Sequence, residues 1–330
     1  MNKMKYIFVI LIIYTILIWL EYIYLRDYNI HRFLNPESYD NPFVKSIHIN
    51  TYLRKEKIVF AGLARDIESK IEKSIQNCVL LGSFFTCYKI VIFENDSSDK
   101  TRHIIQNMAL KNSNIQLVKC IINNDCKFNQ CELYTYGIMN KNRIDRMAYF
   151  RNIYLSVIYS TFHEYDFLCT LDFDIDGTVP IQGLLHAIDC PLEWSCICAN
   201  GRSGIPGTFG ILDTMYDAMA LCITESDMEK SKRGDRSMKH LIAKYIRLMF
   251  LSHFEKGVTD GFIPILSAFN GFAIYKLKDI RQIYYKNGYS CEHVSLHDQL
   301  VHSNKKVFID LFLMIYVGHQ GPRKVSQFWK

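Results

Sequence analysis

Several features that place a chain in a familiar class are missing from this sequence. No cluster of Lys and Arg is interleaved with exposed aromatic residues, and the net charge is only +6, so nucleic acid is not an expected partner. Charged residues make up 22% of the chain and hydrophobic residues 49%, which excludes a largely disordered protein. No internal repeat is present. The 330 residues are therefore expected to fold into one large domain or two small ones.

The cysteines lack the spacing of a common zinc motif. There are eleven, and six of them form two groups, Cys120, Cys126 and Cys131 and then Cys190, Cys196 and Cys198. Neither group contains the C-x-x-C spacing that many zinc-binding modules use. Disulfide bonds or buried thiols are therefore the favoured interpretations. Some cysteines are expected to pair if most of the chain lies in an oxidising compartment.

The first segment is a long apolar run that no cleavage site of the A-x-A type follows. Residues 6–20 are apolar throughout and the apolar character resumes after Glu21, which gives about 20 residues, enough to cross a bilayer. Lys3 and Lys5 precede the run, so the N-terminus is predicted to stay in the cytoplasm. A cleaved signal peptide is the alternative. The favoured prediction is a single-pass type II membrane protein, located in the Golgi or endoplasmic reticulum if the source is eukaryotic.

The chain is predicted to divide into three segments: an anchor, a stem and a catalytic domain. Residues 1–25 are predicted to be the cytoplasmic tail and signal anchor, and residues 26–56, which are polar and interrupted by prolines, to be a stem. From residue 57 onward, apolar strands alternate with segments of helical periodicity. This alternation predicts an α/β catalytic domain over residues 57–330, with a mostly parallel sheet flanked by helices. Ligands of such sheets bind at the carboxyl ends of the strands.

One segment, LDFDIDGTV at residues 171–179, carries three aspartates at alternate positions after an apolar strand: Asp172, Asp174 and Asp176. Alternate side chains of a strand share a face. Carboxylates in this arrangement suit Mn²⁺ or Mg²⁺, and a cation held there stabilises the charge that develops on a departing diphosphate. The EF-hand calcium pattern fails, because Gly183 stands where its bidentate Glu is needed. A turn whose aspartates only cap backbone groups is another alternative.

The same segment also matches a phosphohydrolase motif. In DIDGTV, the first motif of the haloacid dehalogenase-like superfamily, Asp174 would be the nucleophile and Asp176 the general acid and base. That superfamily usually begins its core domain with this motif, whereas more than a hundred residues of alternating strands and helices precede it here. The nearest approach to the superfamily's later acidic motif, GDRSMKH, lacks the second acidic residue. A membrane-anchored phosphohydrolase is therefore kept as the alternative enzyme.

The order of the segments resembles that of a known family. IVFAGLARD, YKIVIFENDSSDKT and RMAYFRN precede the strand that leads into DFDID, and SAFNGFAIYK and CEHVSLHDQL follow it. This order resembles the GT-A glycosyltransferases, particularly the fungal capsule-associated mannosyltransferase-like group. The resemblance implies a GT-A-like fold and a metal-dependent hexosyltransferase that moves a sugar from a nucleoside diphosphate sugar to a glycan or glycoprotein. That group often carries an Asn-Asp type of motif at the metal site, so LDFDID leaves the sugar open.

The resemblance also implies roles for individual residues. Asp172 and Asp174 hold the metal, and His319 completes its shell. Residues that contact the nucleotide sugar are Ala64, Arg65, Asp66, Glu94, Asp96, Arg146, Arg151 and Asp172. An inverting transferase needs a general base, and the catalytic candidates are Glu292, His293 and Asp176. The alternatives are that the arginines are solvated charges, that Glu94 and Asp96 only shape a turn, and that the protein binds sugars without catalysis.

Overall fold

The computed structural model describes residues 53–119, 141–204, 213–235 and 261–319, together with Ser237 and Lys244. The predicted anchor and nearly all of the predicted stem lie outside these residues, as do Cys120, Cys126 and Cys131. Within the described ranges, no helix is both long enough and apolar enough to span a bilayer.

The described part of the chain contains nine strands and seven helices. The strands are β1 (Arg54–Ala64), β2 (Phe85–Glu94), β3 (Ile115–Lys119), β4 (Phe167–Leu171), β5 (Cys196–Gly204), β6 (Asp213–Met215), β7 (Phe262–Ile265), β8 (Phe272–Lys276) and β9 (Val307–His319). The helices are α1 (Ile71–Gly82), α2 (Thr101–Lys111), α3 (Lys141–Thr161), α4 (Ile181–Ile188), α5 (Glu225–Lys232), α6 (Leu277–Ile280) and α7 (Glu292–His302).

All nine strands form one sheet in the order β3-β2-β1-β4-β8-β5-β9-β7, with β6 paired to β5. The half from β3 to β4 is parallel. Beyond β4, the pairs β4–β8, β5–β8, β5–β6 and β7–β9 are antiparallel, and only β5–β9 is parallel. The prediction of a mostly parallel sheet is therefore wrong, and the sheet is mixed. An apolar strand has the same side-chain pattern in either direction, so the sequence did not reveal that β8 runs against β4.

Helices cover both faces of the sheet, as the alternating pattern predicted. In β1, Val59 and Ala61 belong to the core that α3 and α7 cover, whereas Ile58 and Phe60 belong to the core that α1, α2 and α4 cover. From Ile58 onward β1 is buried on both faces, and its sequence there is continuously apolar and shows no alternation. The result is a three-layer α/β architecture with two hydrophobic cores.

The cysteines of the described residues are all free thiols, and most are buried. They include Cys190, Cys196 and Cys198, the whole of the second group. For that group, the buried-thiol interpretation is confirmed and the disulfide interpretation is wrong, because its three cysteines lie on or beside the central strand β5 with their sulfurs unbonded to one another.

The sheet also fixes where a ligand site can form. The chain adds strands outward from β1 to β2 and β3 and then returns to place β4 on the other side of β1. At such a switch point the connections leave the strand ends in opposite directions and open a crevice. Gly62 keeps β1 and β4 close there, because a Cβ at this position would lie 2.2 Å from the Leu171 carbonyl oxygen. The three aspartates follow directly after β4 and so begin at this crevice.

Candidate functional site

The aspartate segment keeps the alternation that the sequence predicts, although β4 has ended. Phe173 and Ile175 are buried in the core on the α1 face, while Asp174 and Asp176 are exposed and Asp172 is partly exposed. The apolar residues thus anchor the segment and turn the carboxylates outward. The polar and apolar positions of DFDID are both explained by this one arrangement.

Asp172 lies at the inner end of the crevice between two partners. Arg151 Nη2 donates to Asp172 Oδ1 at 3.4 Å, and the Tyr216 hydroxyl donates to Oδ2 at 3.4 Å. Burial and then the negative charge of Asp174 raise the pKa of Asp172 to about 7, against the opposing effect of Arg151. Two neighbouring carboxylates that repel each other in this way form a suitable site for a cation, since a cation favours the charged form of both.

Asp176 forms an ion pair with Lys70. Lys70, at the start of α1, places its Nζ atom 2.6 Å from Asp176 Oδ1 and also donates to the Asp174 carbonyl oxygen at 2.7 Å. The backbone of Asp176 and Gly177 bonds to β9 at Val317 and Tyr316. Asp172 therefore contacts α3, whereas Asp176 contacts α1. The prediction that the three aspartates share one side if the strand continues does not apply, because the strand ends at Leu171.

Behind Asp172 lies a buried ion pair that joins distant parts of the chain. Arg151, on α3, is 1% exposed, and its Nε atom donates to Glu292 Oε1 at 3.1 Å across 141 residues of sequence. Its Nη1 atom donates to the Tyr154 hydroxyl at 3.3 Å, and its guanidinium lies 5.3 Å from the centre of the Phe269 ring. Arg151 is therefore not a solvated surface charge, and it contacts Asp172 and Glu292 at once.

His293 occupies the same corner, next to Glu292 at the start of α7. Its ring stacks on Phe269 with centroids 3.6 Å apart and planes at 11°, and Nε2 lies 3.7 Å from Glu292 Oε1. Neither ring nitrogen has a hydrogen-bond partner among the described residues. Burial, and then the positive charge of Arg151, lowers the pKa of His293 well below its usual value. The imidazole is therefore neutral in the folded protein.

We expect the neutral His293 to make the protein acid-sensitive. Below pH 6.5 the unfolded chain binds a proton at this residue and the folded chain does not, so the free energy of unfolding falls as the pH falls. His293→Phe should reduce the loss between pH 6.5 and 5 by about 1–2 kcal/mol. Urea unfolding at both pH values measures this change. His103→Phe, at an exposed position, is the matched control, and an equal effect of both substitutions would contradict the assignment.

The loops after β1 and β2 form the other rim of the crevice. Ala64 and Glu94 are paired across the two strand ends. Asp66 Oδ1 accepts from the backbone N–H of Ser98 at 2.7 Å, so the two loops are linked. Glu94 is buried, accepts from the backbone N–H of Ser97 at 2.8 Å and pairs with Arg102. Glu94 thus shapes the rim, as the turn alternative predicted.

Four more of the predicted site residues are Asp96, Arg65, Arg146 and His319. Asp96 is exposed at the rim with φ 48°, and Arg65 lies beside Asp66 with Nε 3.4 Å from Asp66 Oδ2. Arg146 is partly buried on α3, five residues before Arg151. The backbone of His319 pairs with Gly204 at the end of β9, but its side chain lies outside the described residues.

Two further residues belong to the site: Tyr216, which the sequence offered only as a candidate for stacking on a sugar ring or for core packing, and Asp217, which the sequence reasoning missed. Tyr216 contacts Asp172, and Asp217, with φ 56°, lies within electrostatic range of both Glu292 and Asp172. Burial, and then the charges of Glu292 and Asp172, raises the pKa of Asp217 well above its usual value. The only signal in the sequence is the segment LDTMYD, which contains both residues but does not show that it returns to β4.

The donor atoms suit a hard divalent cation. Asp172 and Asp174 offer carboxylate oxygens at a partly open crevice, and oxygen ligands with open positions favour Mg²⁺ or Mn²⁺ over softer metals. Burial and the neighbouring charge of Asp174 raise the pKa of Asp172, and a bound cation would favour its charged form. The residues present therefore fit a catalytic Mn²⁺ or Mg²⁺ ion.

Comparisons with known proteins give low similarity throughout. No protein-family model matches the chain, and no curated protein matches it. Among solved structures, the mannosyltransferase PcManGT from Pyrobaculum calidifontis, in complex with GDP-Man and Mn²⁺, is 10% identical with a TM-score of 0.44, covering 88% of this chain and 63% of that one. GalNAc-T7 with UDP, GalNAc and Mn²⁺ is 9% identical with a TM-score of 0.48, covering 81% and 45%.

A third solved structure, TarS from S. aureus in complex with UDP-GlcNAc, is 12% identical with a TM-score of 0.41, covering 82% of this chain and 60% of that one. The chain thus spans between 45% and 63% of these three solved chains. At this level of similarity, what the protein does has to be inferred from its own residues.

Proposed function

We propose that this chain is a metal-dependent glycosyltransferase that moves a sugar from a nucleoside diphosphate sugar to a glycan or glycoprotein acceptor. The observation that carries the proposal is that Asp172, whose neighbour in charge is Asp174, contacts the Arg151 of the buried Arg151–Glu292 pair at the switch point of the sheet. Asp172 and Asp174 as metal ligands, Arg146 as the cation for the diphosphate and Glu292 as the base would supply the groups that sugar transfer from such a donor requires. The transferred sugar is proposed to be a hexose; the resemblance is to a mannosyltransferase-like group, and the departure at LDFDID leaves the identity of the sugar open.

Asp172 and Asp174 would hold the Mn²⁺ or Mg²⁺ ion, with His319 as a third ligand. When bound, the ion acts as a Lewis acid that stabilises the charge on the departing diphosphate. Tyr216 and Arg151 fix the orientation of Asp172 from two sides. Asp174, which is exposed, is the carboxylate that a nucleotide in the crevice can approach most directly.

The donor nucleotide is proposed to lie along the rim formed by the loops after β1 and β2. Arg65, Asp66 and Asp96 present polar groups there, while Ala64 and Glu94 support the rim from below. Arg146, on α3, would reach the diphosphate from the side of the crevice where Arg151 already contacts Asp172. A carboxylate on the rim is a suitable acceptor for ribose hydroxyl groups.

Glu292 is the proposed general base for the acceptor hydroxyl. Its carboxylate is held by Arg151 at 3.1 Å and has neutral His293 beside it, so its orientation is fixed before a substrate arrives. A fixed base lowers the entropic cost of reaching the reactive geometry. His293 is a positioning residue in this proposal, because its ring is packed between Phe269 and Tyr285.

The phosphohydrolase remains the second candidate, and one contact favours it. Lys70 lies beside both the Asp174 carbonyl and the Asp176 carboxylate, where a phosphate monoester would need a cation. However, that chemistry uses Asp174 and Asp176, and it gives no role to the Arg151–Glu292 pair or to its contact with Asp172. The glycosyltransferase proposal is favoured because it gives roles to the buried Arg151 and Glu292.

The predicted membrane placement is part of the proposal. The apolar run at residues 6–20 would anchor the chain as a single-pass type II protein, with residues 26–56 as a stem and the catalytic domain from residue 57 onward. If the source is eukaryotic, the Golgi or endoplasmic reticulum would then supply glycan and glycoprotein acceptors on the same side of the membrane.

The proposal is tested by incubating the full-length chain with UDP- and GDP-sugars and Mn²⁺ and measuring the nucleoside diphosphate released. We expect release from one nucleotide class, dependent on the metal, and no hydrolysis of p-nitrophenyl phosphate. Slow release of the nucleoside diphosphate without an added acceptor would also support the proposal, because water can take the place of the acceptor hydroxyl. Rapid phosphate release from p-nitrophenyl phosphate, with every nucleotide sugar left intact, would contradict the glycosyltransferase proposal and support the phosphohydrolase.

A further inference from the structure

A second cluster of ligand atoms lies in the core on the α7 face, away from the aspartates. Cys196 and Cys198 are two residues apart on β5, so their side chains share one face of the strand. His297, on α7, reaches them from the covering helix. All three residues are fully buried. The Cys196 and Cys198 sulfurs are 3.7 Å apart, and the Cys196 sulfur is 3.5 Å from His297 Nε2.

These separations are those of a tetrahedral zinc site. With zinc–sulfur bonds of about 2.3 Å and zinc–nitrogen bonds of about 2.0 Å, tetrahedral geometry places two sulfurs about 3.8 Å apart and sulfur and nitrogen about 3.5 Å apart. Both expected values agree with the observed 3.7 and 3.5 Å. All three ligand atoms lie within 4.8 Å of one another, so small side-chain adjustments would bring the third pair, Cys198 and His297, to bonding geometry.

The histidine is oriented for metal binding. Its Nδ1 atom lies 2.9 Å from the Ser267 hydroxyl oxygen, and a hydrogen bond from Nδ1 there leaves Nε2 as the electron-pair donor that faces the sulfurs. Zinc-bound histidines usually have such an outer partner, which fixes the tautomer and the ring. Without an ion, the Tyr275 hydroxyl donates to Nε2 at 2.8 Å; zinc would replace this hydrogen bond, and the Tyr275 oxygen is the nearest candidate for a fourth ligand.

Charge balance also favours a divalent ion at this place. Two thiolates offset the two positive charges of zinc, and a neutral imidazole adds none, so the filled site has no net charge in an apolar core. Uptake of the ion would release one proton from each thiol. A soft donor set of sulfur and nitrogen selects zinc over Mn²⁺ or Mg²⁺.

We propose that Cys196, Cys198 and His297 bind a structural zinc ion, distinct from the Mn²⁺ or Mg²⁺ of the aspartate site. The ion would fasten β5 to α7, four residues beyond the His293 that stacks in the candidate active site. Because the cluster is fully buried, the ion is taken up as the chain folds. Its role is to hold α7, and with it Glu292, against the sheet.

The test is metal analysis of the full-length chain produced in zinc-supplemented medium and dialysed without a chelator. We expect one zinc ion per chain, and replacement of zinc by Co²⁺ should give a thiolate-to-cobalt charge-transfer absorption. Cys196→Ser and Cys198→Ser should each lose the zinc. Cys169→Ser, the same change at a buried thiol of β4, should keep it, as should Asp174→Asn.

Two results would overturn the proposal. One is a folded wild-type chain that contains no zinc and gives no thiolate absorption with Co²⁺, which would leave Cys196 and Cys198 as ordinary buried thiols. The other is full zinc content in Cys196→Ser, or its loss in Asp174→Asn, since the ion would then belong to another site. If the cysteine variants do not fold, His297→Gln replaces them: it should lose the zinc and the thiolate-to-cobalt absorption, and full retention of both would overturn the proposal.

Discussion

Arg151→Met is expected to lower the free energy of unfolding by about 3–5 kcal/mol, because it leaves a buried carboxylate without its partner. Glu292 is 2% exposed and is paired to Arg151 at 3.1 Å, and Asp172 would lose the same guanidinium. Methionine fills a similar volume, so the loss reflects charge more than packing. Urea unfolding of the full-length chain measures the difference.

A double-mutant cycle shows whether the pair itself is responsible. Glu292→Gln in the Arg151→Met background should recover at least about 1 kcal/mol, because the uncompensated charge is removed together with its partner. Arg233→Met, the same change at an exposed arginine, should alter stability by no more than about 0.5 kcal/mol. If Arg151→Met and Arg233→Met have the same small effect, the buried ion pair is not formed.

Asp174→Asn is expected to weaken manganese-dependent nucleotide binding by at least about 100-fold. Loss of an outer partner of a metal ligand already costs about 10–100-fold, and the loss of a ligand should cost at least the upper end of that range. Asp174 is exposed, so the substitution should not unfold the protein. Asparagine keeps the shape of the side chain and removes only the charge.

Asp176→Asn is the matched control for this prediction. Its carboxylate is paired with Lys70 at 2.6 Å and stands apart from Asp172, so we expect manganese-dependent binding to change only a few-fold, within about 1 kcal/mol. Equal losses in the two variants would place Asp176 in the metal site and favour the phosphohydrolase motif DIDGT. Thermal unfolding of both variants without metal verifies that each is folded.

The sequence predicted the parts of the fold that depend on local pattern. The buried runs that become β1, β2 and β4 were visible as apolar segments, and the alternation in DFDID correctly indicated which residues face outward. Placing the aspartates at a strand end was sufficient to locate the crevice, because the parallel half of the sheet has its switch point there.

Features that depend on long-range packing could not be predicted in the same way. β8 pairs with β4 in the antiparallel direction, and the pattern of apolar side chains in the sequence does not show that direction. The contact between Arg151 and Glu292 spans 141 residues, and both had been singled out for separate roles without any sign that they meet. In the same way, the contact between Cys196 and His297 spans 101 residues, and the sequence did not show that β5 and α7 bring them together.

The central claim is that Asp172 and Asp174 form a metal-dependent site for a nucleoside diphosphate. Calorimetric titration of UDP and GDP into the full-length chain, first with Mn²⁺ and then with a magnesium- and manganese-binding chelator, tests it most directly. We expect one binding site for one of the two nucleotides with Mn²⁺, and no detectable binding in the presence of the chelator or with Asp174→Asn. Binding of equal strength with and without the metal, or no binding of either nucleotide to the folded chain, would contradict it.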